Sequence, residues 1–239
     1  MIKKIERIEE ISSFDKTDLF TIRIMSLLKA YGTAYDFASF YKQINANGQI
    51  TAILSRLDND LTLSYENANT DEIKEFIAAT GFSSLLTDEF FLFDSKYDEG
   101  VIMSAHRKNE FHMPYAEIDE YPKLMDLYNF EDYGTADFES WYVDVSHRIR
   151  HGCGKAYALT VNGEIASSGI FSSIYRDNAI LTSVHTAPEF RGLGYGTALV
   201  SAMICDIKKT VFLMRESDKN ESFYKNLGFE NNGKWRMYR

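Results

Sequence analysis

The stretch that most constrains this chain runs Val184-His185-Thr186-Ala187-Pro188-Glu189-Phe190-Arg191-Gly192-Leu193-Gly194-Tyr195-Gly196-Thr197. It passes from β-branched residues through a proline turn into three alternating glycines, and then into an apolar helical run. A helix that opens this way leaves its first N–H groups without partners, and its dipole adds about half a positive charge there. Glycines let an anion approach the backbone, and Arg191 adds a planar fork of donors, so the segment reads as a phosphate-binding helix entry or, on glycine spacing alone, as one whose glycines serve only tight packing. A nucleotide-phosphate loop would continue with Lys-Ser or Lys-Thr, whereas Thr197-Ala198 follows here. A dinucleotide fold would place its loop after the first strand of a parallel sheet, and several antiparallel-looking strands come before this one.

Those strands are read from turns and periodicity. Asn47-Gly48 and Asn162-Gly163 mark hairpins, joining Tyr35–Gln43 to Gln49–Leu57 and Lys155–Val161 to Glu164–Ile174. Asp58–Asp60 leads into Leu61–Tyr65, and Arg176-Asp177-Asn178 into Ala179–Thr186. Helices are expected at Asp18–Tyr31, at Asp71–Thr80 with Thr70 as N-cap, at Tyr142–His151, from the glycines to Lys209, and at Asn220–Asn226. Strands at Thr210–Met214 and Phe229–Tyr238 complete the pattern. The order of elements repeats, and Asn47-Gly48-Gln49-Ile50 echoes Asn162-Gly163-Glu164-Ile165. Pro114–Pro122, acidic and poor in apolar residues, reads as a linker between domains at 1–115 and 122–239.

Charge divides along the same line. Residues 122–239 carry 14 basic and 14 acidic side chains, which leaves 12 of the 26 Lys+Arg and 21 of the 35 Asp+Glu to the first part. The whole net charge of −9 therefore lies there. Such acidity argues against nucleic-acid partners. No apolar run approaches the ~18 residues of a membrane span, and Met1–Glu10 lacks a signal-peptide core. Two cysteines, Cys153 and Cys205, suit neither a disulfide scaffold nor a four-ligand zinc site, so a cytoplasmic setting without metal is expected. His151-Gly152-Cys153 reads as a helix end, and Cys205 as packing. His106, Lys108 and His112 read as a solvated segment, and Asp88–Asp94 as a strand or interface edge.

The loop Arg191-Gly192-Leu193-Gly194-Tyr195-Gly196 resembles the acyl-CoA pyrophosphate loop of the GNAT superfamily of N-acyltransferases. Asn220-Glu221-Ser222-Phe223-Tyr224-Lys225-Asn226-Leu227-Gly228-Phe229 is similar to that family's last helix and strand. The resemblance covers residues 122–239. It implies an α+β fold, a mixed and mostly antiparallel sheet flanked by helices, here as two similar domains in tandem. The first domain has no glycine loop and would be a degenerate copy. The resemblance further implies acetyl-CoA as acyl donor, with Val184 and Thr186 hydrogen-bonding the pantetheine arm. Arg191, Gly192, Gly194, Tyr195, Gly196 and Thr197 would take the pyrophosphate. Tyr224 matches the general acid that protonates the departing sulfur; a thiol at ~8.5 and a phenol at ~10 differ by ~1.5 units, roughly 2 kcal/mol, so unless the site adjusts it Tyr224 would partly stabilise the sulfur rather than fully donate. The acceptor would be a small-molecule or peptide amine. The carboxylate base that many members carry on the strand before the loop has no counterpart in Ala179–Thr186, where His185 is the alternative. A missing base also admits a different class, a non-catalytic acyl-CoA sensor.

Overall fold

The computed structural model describes residues 1–88, 93, 95–106, 113, 115–131 and 137–239. In chain order these form β1 (Ile2–Lys4), α1 (Leu19–Tyr31), β2 (Ala38–Ile44), β3 (Ile50–Leu57), β4 (Asp60–Tyr65), α2 (Thr70–Thr80), β5 (Ser84–Thr87) and β6 (Tyr97–His106). There follow β7 (Ala116–Asp119), α3 (Leu124–Phe130), α4 (Phe138–Arg150), β8 (Lys155–Val161), β9 (Glu164–Tyr175) and β10 (Asn178–Thr186). α5 (Tyr195–Asp206), β11 (Thr210–Glu216), α6 (Glu221–Asn226) and β12 (Glu230–Tyr238) complete the chain. Among the described residues no helix is long and apolar enough to cross a membrane.

Two compact units result, and their division differs from the expected 1–115 and 122–239. The first unit is Met1–Ile102 together with Gly233–Arg239, and the second is Met103–Asn232. The reason lies in β12. Its residues Arg236, Met237 and Tyr238 pair antiparallel with Thr87, Leu86 and Leu85. Tyr238 is fully buried in the core that Leu54, Leu63, Ile73 and Ile77 build. A final strand with one buried aromatic is pulled to whichever sheet offers an open edge and a fitting core, which periodicity does not reveal.

In the first unit β1 to β4 run antiparallel, and α2 then carries the chain to β5, parallel to β4 through Asp60–Thr62 and Ser84–Leu86. The second unit repeats this: β7 to β10 are antiparallel, and α5 crosses to β11, parallel to β10. The repeated element order thus corresponds to a repeated topology. The Asn162-Gly163 hairpin turn is of the kind that suits the right-handed twist of strands, with φ of 52° and 85°.

Three local expectations are corrected. Pro114–Pro122 is not a linker, because Ala116–Asp119 forms β7 and pairs with Ala158–Val161. Its alternation, with Ala116 and Ile118 half-buried and Glu117 and Asp119 exposed, is that of an edge strand whose acids face water. α2 is capped by Asn69, which accepts from the Glu72 N–H at 3.1 Å, rather than by Thr70. α4 begins at Phe138, four residues early, because Asp137 caps it through the Ser140 N–H at 3.0 Å. His106 lies exposed at the end of β6, whereas Lys108, His112 and most of Asp88–Asp94 lie outside the described residues.

Candidate active site

The site is built where β10 parts from its parallel neighbour. β10 pairs with β11 through Ala179, Ile180 and Leu181, then continues five residues further. Within that extension its register against β9 shifts, from Thr182 opposite Ile170 to His185 opposite Ser168. Three residues on β10 thus span two on β9, a bulge, and Ser183 absorbs it with φ of 51°. Pro188–Phe190 form a short 3-10 turn, and the chain enters α5 through Gly192 and Gly194 at φ of 76° and 90°.

α5 begins at Gly194 with no side-chain cap and no acidic residue in its first turn. The unpaired N–H groups and the dipole therefore face outward undiminished, as an anion requires. Two contacts fix the geometry. Arg191 Nε donates to the Thr186 carbonyl at 3.0 Å, which holds the guanidinium beside the glycine loop. Thr186 Oγ1 lies 3.0 Å from Ser167 Oγ, and a Cβ at Gly196 would come within 2.8 Å of it. The helix start can sit this close to the strand only because residue 196 has no side chain.

The opposite wall is α6. Arg215, which follows the apolar run Val211–Met214, is buried, with Nη2 3.0 Å from Glu221 Oε2 and Nη1 donating to the Glu216 and Ser217 carbonyls. It thereby pins the start of α6. Tyr224 follows, half-buried, its ring edge-on to Phe229 at 5.5 Å and to Phe223 at 5.0 Å. Burial pushes the Tyr224 phenol above its usual pKa, so it holds its proton throughout the neutral range.

These elements enclose a cleft of about 420 Å³ lined by Val184, Thr186, Arg191, Gly192, Gly194, Tyr195, Gly196, Thr197 and Tyr224. Every residue expected for donor binding or for acid catalysis thus lies on one surface. Phe190, Asn220 and Phe223 complete the lining. They and Arg215 were not singled out from sequence; a lone arginine after Val211–Met214 was the available signal. His185 is not in the lining. Its ring stacks edge-on to Phe130 at 5.2 Å, and burial together with the Arg191 charge lowers its pKa.

Comparison with known proteins agrees with this geometry. Residues 112–229 match the Acetyltransferase (GNAT) family. Over its full length the chain is similar in fold to an X-ray structure of a Drosophila protein, at 13% identity, TM-score 0.69 and 98% coverage of that chain. A tandem GNAT protein from the clavulanic acid biosynthesis pathway aligns with all of this chain and 97% of its own, at 12% identity and TM-score 0.61. A GCN5-related N-acetyltransferase-like protein from Streptococcus suis covers 97% of each chain at 12% identity and TM-score 0.55. No curated protein sequence matches. The family match makes residues 112–229 an acyltransferase domain of the GNAT superfamily, and the first unit, which lacks the glycine loop, repeats its topology.

Proposed function

We propose that the protein moves an acetyl group from acetyl-CoA to a primary amine by direct attack within a ternary complex. The observation that carries this reading is the single cleft, with an uncapped helix entry at one end and a protonated phenol at the other. The donor fits the residues present. Tyr195, Gly196 and Thr197 offer first-turn N–H groups to a pyrophosphate, and a Cβ at Gly192 would meet nothing within 4 Å, so that side of the loop is open.

Acetyl-CoA supplies an activated thioester, and the chain's residues supply orientation, charge and a proton. The edge of β10 beyond Leu181 has no β11 partner, so its backbone can align an extended amide-bearing arm like a missing strand. Backbone N–H donors near Val184 polarise the thioester carbonyl as negative charge grows on its oxygen. The Tyr224 hydroxyl donates its proton to the leaving sulfur.

A thermal titration tests the first layer. Acetyl-CoA at 100 times its Kd should raise stability by about 2.7 kcal/mol. No shift, or a shift left unchanged by Arg191→Glu, would overturn the reading. Binding without CoA release from any amine would make the protein an acyl-CoA sensor instead.

A further inference from the structure

A second and larger cavity of the same unit, about 540 Å³, lies between the end of β7, the start of α3, the later half of α4 and the start of β8. It shares no lining residue with the donor cleft. Pro122, Leu124, Ile149 and Ala156 give it an apolar floor. Leu124 and Ile149 pack from outside on the core that Leu127, Ala156, Ala158 and Ile170 build, so this floor is the outer skin of that core. Tyr121 and Tyr142 also line the cavity, and they are 83% and 44% exposed. A helix on the surface of a globular unit ordinarily buries its apolar stripe. No residue of α4 is buried, although Trp141 and Ile149 pack on the core. The uncovered part of that stripe borders the cavity.

Charge decides what fits. The charged side chains in the lining are Glu120, Arg150 and Lys155. Lys155 is already committed: its Nζ lies 2.6 Å from Glu120 Oε2 and 2.9 Å from Asp206 Oδ2, and 4.7 Å from the centre of the Tyr157 ring. Glu120 is paired in turn. Arg150 is held through Nε alone, which donates to the Ser146 carbonyl at 3.2 Å. Among the described residues its two Nη groups have no partner. A guanidinium anchored at Nε presents that pair end-on, and a carboxylate accepts both in parallel. The lining thus carries one uncompensated positive charge, in a chain whose net charge is −9. Small-molecule sites run from about 300 to 1,000 Å³, and roughly 150 Å³ holds a benzene ring, so a fused pair of rings fits here.

We propose that this cavity binds a small aromatic carboxylic acid of one or two rings, its ring on the Tyr121 and Tyr142 side chains and its carboxylate on the Nη pair of Arg150. The site does not rest on the acetyl-transfer reading. With no residue common to the two cavities, the acid and acetyl-CoA occupy the chain together.

The test uses the full chain with 2-naphthoate as the probe, titrated by calorimetry with and without saturating acetyl-CoA. We expect saturable binding at a Kd of roughly 1 mM or tighter, the range of a good ligand of this size, and unchanged by acetyl-CoA. Neutral 2-naphthamide should bind at least fivefold more weakly, as should 2-naphthoate to Arg150→Gln and to Tyr121→Ala. Both side chains are exposed, so both variants should keep the parent's melting temperature. Arg191→Glu should bind the probe as the parent does. An absence of saturable binding, a naphthamide bound as tightly as the acid, or indifference to either cavity variant overturns the site. Competition by acetyl-CoA, or loss of binding in Arg191→Glu, puts the probe in the donor cleft and equally overturns it. So does a dimer in sedimentation that Tyr121→Ala disperses, which would make the cavity an interface between copies.

Discussion

Tyr224 and Gly196 show how much of the site depends on single atoms. Replacing Tyr224 by Phe deletes one hydroxyl and keeps the edge-on packing against Phe223 and Phe229. Turnover should fall by about 10²-fold or more, the usual scale for a general acid, while acetyl-CoA affinity measured by thermal shift stays within twofold. Burial raises this phenol's pKa, so the proton donor is present up to and beyond pH ~10. A kcat profile should therefore show no alkaline loss from this group between pH 7 and about 9. The corresponding stability is complete below the unfolded value near 10 and declines above it, since only the unfolded phenol ionises readily. At Gly196 an added methyl would approach Thr186 Oγ1 to 2.8 Å, and that hydroxyl is tied to Ser167. Gly196→Ala should cost about 1–3 kcal/mol, an overpacking penalty. Most of it should return in the Gly196→Ala, Thr186→Ala double variant when both are melted under identical conditions, because the clash involves that one oxygen.

The two crossover helices differ in what their first turns offer. α5 opens on Gly194 with no cap, whereas α2 is closed by Asn69 and carries Asp71 and Glu72 in its first turn. An anion is welcomed at the first and repelled at the second. In the first unit the gap beyond the paired part of β4 is also filled. Lys16 Nζ donates to the Tyr65 carbonyl at 2.9 Å and bridges Asp18 at 2.7 Å and Asp88 at 3.7 Å. Arg191→Glu should thus weaken acetyl-CoA binding by about 1.5–3 kcal/mol, the scale of a charged hydrogen bond, as read by titration calorimetry. Helix α5 is anchored at its other end by Asp206, which accepts from Tyr157 Oη at 2.5 Å and Lys155 Nζ at 2.9 Å. Burial opposes the charge on Asp206, yet these two bonds win and its pKa is lowered. Its stability contribution is present above the unfolded value near 3.9 and is lost as pH falls further. Acid melts of Tyr157→Phe should show a smaller loss below pH 4 than the parent. The glycine loop was legible in sequence because local backbone demands spell it, φ above zero and an uncapped turn, whereas Tyr224 was singled out through the resemblance of Asn220–Phe229. The bulge at Ser183 and the Arg215–Glu221 pair were not legible, since each depends on how one element packs against the next, which periodicity does not reveal.

At the scale of the molecule, the departure from a simple tandem is β12. Cutting at the expected boundary would leave the first domain without Gly233–Arg239, and hence without Tyr238 in its core. Tyr238→Ala should cost about 3–5 kcal/mol, as for other buried aromatics emptied to alanine. A 1–115 fragment should melt well below the full chain and be stabilised by a peptide spanning 230–239, followed by circular dichroism. β7 misled for the converse reason. Four residues between prolines carry too little pattern to outweigh their acidity, and only pairing with β8 defines them as a strand. The same placement of β12 has a consequence in time. A chain leaves the ribosome in order, at about 5–20 residues per second, and amino-terminal domains commonly fold first. Here β12 lies between β5 and β6 in the first unit's strand order, and its residues 233–239 are translated only after the whole of Met103–Asn232. For on the order of 10 seconds the nascent first unit has two sheet edges waiting for a strand not yet made, so a chaperone that shields such edges would find its client during synthesis.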